Sequence, residues 1–505
     1  MEQLSEIGRN LLSYEPDRPL SYTGLAFWIA FTAFLGIYAL IYKRKRFRII
    51  YLLVISWLIY YLMNGIFLIL LILSCGINFF FGLRISRHKK TRTWLWVAVL
   101  FNLLVLGYFK YAYFFTDSIN KIFHSRFEVF NWIGWLTDQA TGSFTDLNTI
   151  LLPVGISFYT FQAISYLADV HNKKIKALHN PLDFSFYISF FPQLVAGPIV
   201  RASAFIPQIY QKFHLSREEF GHAIFLITKG LIKKIVIADF LAVNFVDRVY
   251  GAPISFSGLE NLLAVYAYSI QIYCDFSGYT DIAIGLALVL GFKIPVNFNS
   301  PYLANSLTDF WHRWHISLSL WLKDYLYIPL GGNRKGKIRT NLNLAVTMLL
   351  GGLWHGANIR FLIWGAIHGV ALIVEKTVRR IHKTSPNQKQ WKKLLSILTT
   401  FHIVSFAWIF FRAKDLETIR QMLFQIKYHF LPQITANNLH GYFPTIGIFS
   451  LGLVLIWFPF KEKEKIRGCF IRMPVVVQGV IILCILLAIA WGAQSGIQPF
   501  IYFRF

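Results

Sequence analysis

Residues Leu20 to Tyr42 read LSYTGLAFWIAFTAFLGIYALIY and run directly into the cations Lys43, Arg44, Lys45, Arg46 and Arg48. The apolar stretch is long enough to cross a hydrocarbon core of roughly 30 Å at about 1.5 Å per helical residue. The cations place its end in the cytoplasm and the N-terminal tail 1–19, with Glu2, Glu6, Glu15 and Asp17, outside. It begins too late and runs too long for a cleavable signal peptide, so it is expected to remain as a span. The next stretch, 47–83, is interrupted by Asn64-Gly65 and followed by Arg84, Arg87, Lys89, Lys90 and Arg92. That pattern predicts a hairpin returning to the cytoplasm.

Composition agrees with a membrane protein. Of 505 residues, 56% are hydrophobic and only 15% charged, against roughly 25% charged in a soluble globular protein. The 48 Phe, 25 Tyr and 15 Trp make the apolar mass bulky and supply the rings that collect at membrane interfaces. Disorder, collagen-like repeats and a secreted disulfide scaffold are excluded. The net charge of +26 comes from cations bunched between apolar runs, the pattern of topology rather than of a nucleic-acid face. Cys75, Cys274, Cys469 and Cys484 are far apart, with no metal-ligand spacing.

Further spans are expected at 93–115, outward to an external loop 116–148, and at 149–170, back to Lys173, Lys174 and Lys176. Between 181 and 333 apolar stretches mix with Lys229, Lys233, Lys234, Asp239, Asp275 and Asp281, and orientation stays open. The clusters Arg334–Arg339 and Lys376–Lys393 read as cytoplasmic. Only thirteen residues, 341–353, precede Trp354-His355-Gly356-Ala357-Asn358, a reach of about 20 Å, which puts His355 at membrane depth. Spans at 393–412, 443–460 and 473–493 leave both termini outside. The expectation is one all-α polytopic domain over 1–505 with about ten to thirteen membrane segments, its catalytic core segments in 150–370 and a C-terminal tail 496–505.

Ionisable groups inside apolar segments are costly and suggest function. An imidazole at depth beside a glycine, as at His355, is suited to act as a general base on a hydroxyl. It equally suits a buried helix-turn anchor. A second segment runs from Phe298 through Ser306, Asp309, Trp311, His312, Arg313 and Trp314 to His315. Ser306 is a helix N-cap candidate with Asp309 three residues on. Trp311, Trp314 and Trp321 fall near one helical face, the pattern of an interfacial helix. His312 and His315 are i,i+3, but the acidic or thiolate ligands of a metal site do not accompany them, and no metal is expected. His315 reads either as a second catalytic or positioning group or as an interfacial histidine. Arg313, Lys323, Arg334 and Lys335 could meet donor phosphates, or serve as topology charges. A third segment, Gln271–Asp281, places Asp275 and Asp281 on nearly opposite helix sides. They are expected to bond neighbouring helices or orient a histidine, and Asp169 to act likewise. No Walker A, Rossmann or Gly-x-Ser-x-Gly motif is present.

Several motifs together carry a resemblance: Leu152–Gln162, the Phe191–Ile199 run FPQLVAGPI, Asp275–Tyr279, Phe310–Ser317 and Leu353–Asn358. They resemble the membrane-bound O-acyltransferase family and, within it, the bacterial alginate and peptidoglycan O-acetyltransferase branch. The resemblance implies acyl transfer inside a helical bundle of the bacterial inner membrane, with a central funnel and short re-entrant helices. It implies His355 as the family's essential histidine and His315 as a second one. Trp354, Asn358, Asp309, Arg313, Trp314, Lys323, Asp275, Ser277, Tyr279 and Gln162 are then candidates for donor binding or positioning. The implied donor is a cytoplasmic acyl thioester, acetyl-coenzyme A or an acyl carrier, with no bound cofactor. The implied recipient is a polysaccharide, reached directly or through a periplasmic or extracellular SGNH-type partner. The tail Pro499–Phe505 resembles the branch's Phe-x-Tyr-Phe ending, which makes Tyr502 a candidate acyl relay; an interfacial aromatic anchor is the other reading.

Three rival readings remain at this point. One is D-alanyl transfer from a carrier protein to teichoic acid. A second is a transporter or flippase with an intramembrane proton relay. The third is a scaffold for a polysaccharide synthase.

Overall fold

The computed structural model describes residues 14, 20–141, 146–194, 197–381, 390–431, 436–458 and 460–492. Helix accounts for 79% of the structure, and no strand occurs among the described residues. In lipid a helix satisfies its own backbone, which is why an apolar chain resolves this way.

The first helices follow the charge punctuation. α1 (Leu25–Ile41) ends at the Lys43–Arg48 cluster, α2 (Lys45–Asn64) and α3 (Phe67–Arg87) form the expected hairpin, and α4 is Thr91–Phe123. Gly65 makes the turn at φ 56°, a left-handed value that favours glycine. Asn78 of α3 and Asn102 of α4 exchange amide hydrogen bonds of 3.2 and 2.7 Å, a polar tie between apolar helices. α4 has 33 residues and continues into the stretch expected to be an external loop, which also holds a helix at Trp132–Thr141. Its hydrophobic periodicity stops before its helical hydrogen bonding does.

α5 (Ile156–His171) and α6 (Arg217–Leu231) lead to α7 (Gly258–Val289), a 32-residue helix whose most apolar window is 89% buried. Burial on all sides explains why α7 shows no apolar stripe. After α6, 232–239 and 242–246 wind as π-helix. The ion pairs at this junction account for the charges that obscured the topology between 181 and 333. Lys234 pairs with Asp239 (2.7 Å) and Asp275 (2.6 Å), while Lys229 and Lys233 pair with Asp281 (3.0 and 2.8 Å).

The remaining principal helices are α8 (Leu307–Arg313), α9 (Ile316–Leu322), α10 (Gly336–His355), α11 (Ile359–Ile381), α12 (Gln390–Arg412), α13 (Ala436–Trp457), α14 (Phe460–Arg472) and α15 (Val475–Gly492). α10 starts earlier than the apolar run 341–353 suggests, because Lys337 and Arg339 join its first turn; its 20 residues span about 30 Å. Among the described residues six helices are long and apolar enough to cross a membrane, or seven if the bent pair Gly441–Trp457 and Lys461–Arg472 counts as one. This is fewer than the ten to thirteen segments expected. The difference lies in elements such as α1 and α5, too short to qualify alone, and α10, whose first turns are charged. The chain is a multi-pass helical membrane protein.

Candidate active site

α10 ends on His355, and α4 fastens that end. Lys110 donates from Nζ to the carbonyls of Trp354 (2.6 Å) and His355 (3.2 Å), and the Tyr111 hydroxyl donates to that of Leu353 (2.9 Å). The last carbonyls of a helix lack intrahelical partners and carry the negative end of its dipole. A lysine ammonium answers both needs where water is scarce. After His355 the chain turns at Gly356, where a Cβ would stand 2.1 Å from the Phe361 ring. Asn358 accepts from the Arg360 amide at 3.1 Å. Arg360 in turn donates to the Phe411 carbonyl (2.6 Å) at the end of α12. His355 is thus set by three helices, is 3% exposed, and meets the rings of Trp354, Trp364 and Phe411 at 4.9–5.1 Å.

His315 reaches the same neighbourhood by a break in the chain. Ser306 caps α8 by accepting from the Asp309 amide at 3.1 Å, as expected, while Asp309 accepts from Asn305 at 3.3 Å rather than closing a box on Ser306. α8 then stops at Arg313, and His315 takes the left-handed φ of 42° before α9 begins. This break corrects the single interfacial helix face expected for Trp311, Trp314 and Trp321. Trp314 and Trp321 are buried, and Trp311 is half-buried. The break also separates the two histidines, with His312 exposed and His315 fully buried. No cluster of three metal-ligating side chains occurs among the described residues.

Asn297 holds His315. Its Oδ1 accepts from the Ser317 amide (3.0 Å) and Ser317 Oγ (2.9 Å), and lies 3.2 Å from His315 Nδ1. The backbone amide makes Oδ1 an acceptor, so Nδ1 carries the proton and the lone pair of the neutral ring sits on Nε2. Phe276 of α7 packs its ring 4.7 Å from His315. Trp354 bridges the histidines, 6.1 Å from His315 and 4.9 Å from His355. Beyond it Phe161 stacks on Trp321 at 3.7 Å.

The other candidates divide. Trp354, Trp314 and Asn358 belong to this neighbourhood; Gln162 is buried on α5, one residue along from Phe161, whose ring stacks on Trp354 at 5.4 Å. Arg313 and Asp309 pair with each other at 2.8 Å, and Arg313 also donates to the Asn299 carbonyl at 3.4 Å. Lys323 is exposed at the head of the π-turn 323–327. Asp275 pairs with Lys234, Ser277 accepts from Lys233 (3.0 Å), and Tyr279 hydrogen-bonds Ser21 (3.1 Å). These three hold α7 to its neighbours, as expected for Asp275; Asp169 likewise accepts from Tyr325 at 2.9 Å. Tyr502 lies outside the described residues, as do the tail 496–505 and, apart from Tyr14, the tail 1–19. Asn297, Lys110 and His368 were missed by motif reading. A signal existed for His368 and Lys110, since each is ionisable within an apolar run.

A terminating helix with a buried histidine and a second histidine on a left-handed break thus meet across an aromatic wall. Residues 94–412 match the model of the membrane-bound O-acyltransferase family, and the chain belongs to that family. It is an O-acyltransferase, which sets aside the transporter and scaffold readings. The chain is 39% identical over 440 residues to the probable alginate O-acetylase of Pseudomonas aeruginosa, covering 85% of this chain and 79% of that one. Against the peptidoglycan O-acetyltransferase of Helicobacter pylori it is 38% identical over 414 residues, covering 75% and 74%. The teichoic acid D-alanyltransferase of Bacillus subtilis is 31% identical over 282 residues, covering 52% of this chain and 69% of its own.

Proposed function

We propose that this enzyme transfers an acetyl group from a cytoplasmic acyl thioester to hydroxyls of a cell-envelope or exported polysaccharide. The observation that carries the mechanism is His355 at the end of α10, buried and held by Lys110, Tyr111 and the aromatic rings around it. A fixed imidazole in a water-poor site is positioned to take the proton of a hydroxyl as its oxygen attacks the thioester carbonyl. The carbon–oxygen bond forms, the tetrahedral intermediate collapses, and the carbon–sulfur bond breaks. The thiolate leaves with the proton from the imidazolium. Asn297 keeps the Nε2 lone pair of His315 available to orient the hydroxyl or position the reacting group. The attacking hydroxyl belongs to the acceptor or to Tyr502, which would then relay the acetyl group outward, directly or through an SGNH-type partner. The cation clusters favour a cytoplasmic face at Lys43–Arg48, Arg84–Arg92, Arg334–Arg339 and Lys461–Arg467, with the donor entering there.

The test is incubation of purified protein in lipid with radiolabelled acetyl-coenzyme A, comparing the native chain with His355→Ala and Tyr502→Phe. Turnover should fall at least a hundredfold in His355→Ala, in line with the roughly 10² to 10⁴ that a general base supplies. Label should remain on the native chain and be lost in Tyr502→Phe. A folded His355→Ala protein working at the native rate would refute the base, and retained label in Tyr502→Phe would refute the relay. Turnover only with a D-alanyl carrier protein would replace the acetyl donor with that one.

A further inference from the structure

α14 leaves α13 at a bend of 98°, a turn that takes the chain from crossing the bilayer to lying along its surface. It then runs beside α6 in the opposite sense. At one end Phe470 meets Phe225 ring to ring at 5.6 Å, and a Cβ on Gly221 would stand 3.3 Å from Ile471. At the other end Lys463 comes close enough to Lys229 and Lys233 for the three charges to oppose one another. Asp281 of α7 accepts from Lys229 (3.0 Å) and Lys233 (2.8 Å), one lysine on each oxygen. Lys463 reaches only the Ser300 hydroxyl, at 3.3 Å.

The charge of this corner does not close. Elsewhere on α14 each cation with an acid beside it is matched, Lys465 by Glu462 (2.8 Å) and Arg467 by Glu464 (2.9 Å). Lys229, Lys233 and Lys463 share Asp281 alone, so three ammonium groups answer to one carboxylate. An ammonium carries three donors, yet the only other polar partners of these three among the described residues are the hydroxyls of Ser277 (3.0 Å, to Lys233) and Ser300. The rings of Phe225 and Tyr273, 5.8 and 5.2 Å from Lys229 and Lys233, soften the excess without cancelling it. The corner is also open: Lys463 is half-buried and the Lys229 side chain 36% exposed. Three positions beyond Lys463 stands Ile466, 54% exposed, and three beyond Lys233 stands Val236, 37% exposed. Converging cations bordered by outward apolar side chains match a ligand with an anionic head and a hydrocarbon body.

We propose that the corner where Lys229, Lys233 and Lys463 meet binds the phosphate of an anionic phospholipid, with Ser300 as a further hydrogen-bond donor. One phosphate oxygen can take protons from Lys463 and Ser300 while another faces Lys229, charge-assisted bonds of the strong kind. The lipid's own negative charge offsets the cationic excess that Asp281 leaves. Its chains lie outward along Ile466 and Val236, where the protein surface is apolar. The bound headgroup joins α14, α6 and the segment before α8, and this role is separate from the transfer chemistry at His355.

The experiment is native mass spectrometry of the full-length protein released from micelles carrying phosphatidylglycerol and phosphatidylcholine, with melting curves in each lipid. The native protein should retain phosphatidylglycerol in preference to phosphatidylcholine and melt higher in its presence. Lys463→Gln, which gives up only one hydroxyl contact and so keeps the fold, should weaken phosphatidylglycerol binding about fivefold, one lysine's share of the attraction to anionic lipid. Lys229→Gln should do likewise, and Lys463→Arg should bind as the native chain does. Lys465→Gln, on the same helix but paired with Glu462, should change nothing. Three results would overturn the proposal: no preference for phosphatidylglycerol, native-like binding by Lys463→Gln, or an equal loss in Lys465→Gln, which would reduce the effect to surface charge. Displacement of the lipid from the native protein by millimolar pyrophosphate would overturn it as well, by assigning the corner to a soluble phosphate.

Discussion

Asn297 shows how much of the site depends on one short amide. Its Oδ1 gathers His315, the Ser317 amide and Ser317 Oγ, and Ser317 Oγ itself accepts from the Ile199 amide at 3.0 Å. Asn297→Ala leaves these buried donors without their acceptor and is expected to lower stability by about 1–3 kcal/mol, read as a drop in melting temperature, and to slow turnover by releasing His315. An unchanged melt and rate would mean that His315 is held by packing alone. The two histidines could be picked out in the chain because an ionisable ring in an apolar run is conspicuous. Asn297 could not, because an asparagine after Pro295-Val296 looks like any loop residue, and its value comes from residues 18 and 20 positions away. Lys110 makes the point over a longer distance, with its partners 244 and 245 residues along.

Among elements, the α10–α11 hairpin carries the candidate base. Its helices approach so closely that a Cβ on Gly352 would stand 2.2 Å from the Phe361 carbonyl oxygen, and one on Gly365 2.4 Å from that of Met348. Gly352→Ala should force the helices apart, cost about 1–3 kcal/mol as overpacking does, and reduce transfer by moving His355. Gly107→Ala on α4, where nothing lies within 4 Å of the new Cβ, should be neutral or gain roughly 0.5–1 kcal/mol. Thermal melts and acetyl-transfer rates of the two variants side by side check both statements. The hairpin turn at Asn64-Gly65 and the Ser306 cap were legible because glycine and serine act locally. The break at His315 was not, since a left-handed histidine leaves no mark in the hydrophobic period.

Across the whole molecule, charge is organised twice. Cation clusters punctuate the helices, and lysine–aspartate pairs tie α6 and its π-turns to α7. Lys234, 1% exposed at its side chain, sits against Asp239 and Asp275. Removing one member of such a buried set strands the others. Lys234→Met is therefore expected to destabilise by about 3–5 kcal/mol, and Lys229→Gln, whose side chain is 36% exposed, by no more than about 1 kcal/mol. Melting in detergent compares the two, and equal losses would argue against Lys234 as the keystone. The clusters could be read from the chain because topology is written in short local runs. The buried pairs were visible only as unexplained charges, because which lysine meets which aspartate is decided by how α6 lies on α7. Once the helices are placed, the same charges become the strongest constraint on their register.

In mechanical terms, the backbone contact of Gly352 with Phe361 and of Met348 with Gly365 makes α10 and α11 a single stiff beam, clamped at its tip by Lys110 and Tyr111. A beam of that kind cannot flex locally to meet a substrate, so His355 behaves as a fixed anvil. A substrate must therefore come to His355 in the orientation the beam dictates, since Lys110, Tyr111 and Arg360 tie the turn to α4 and α12.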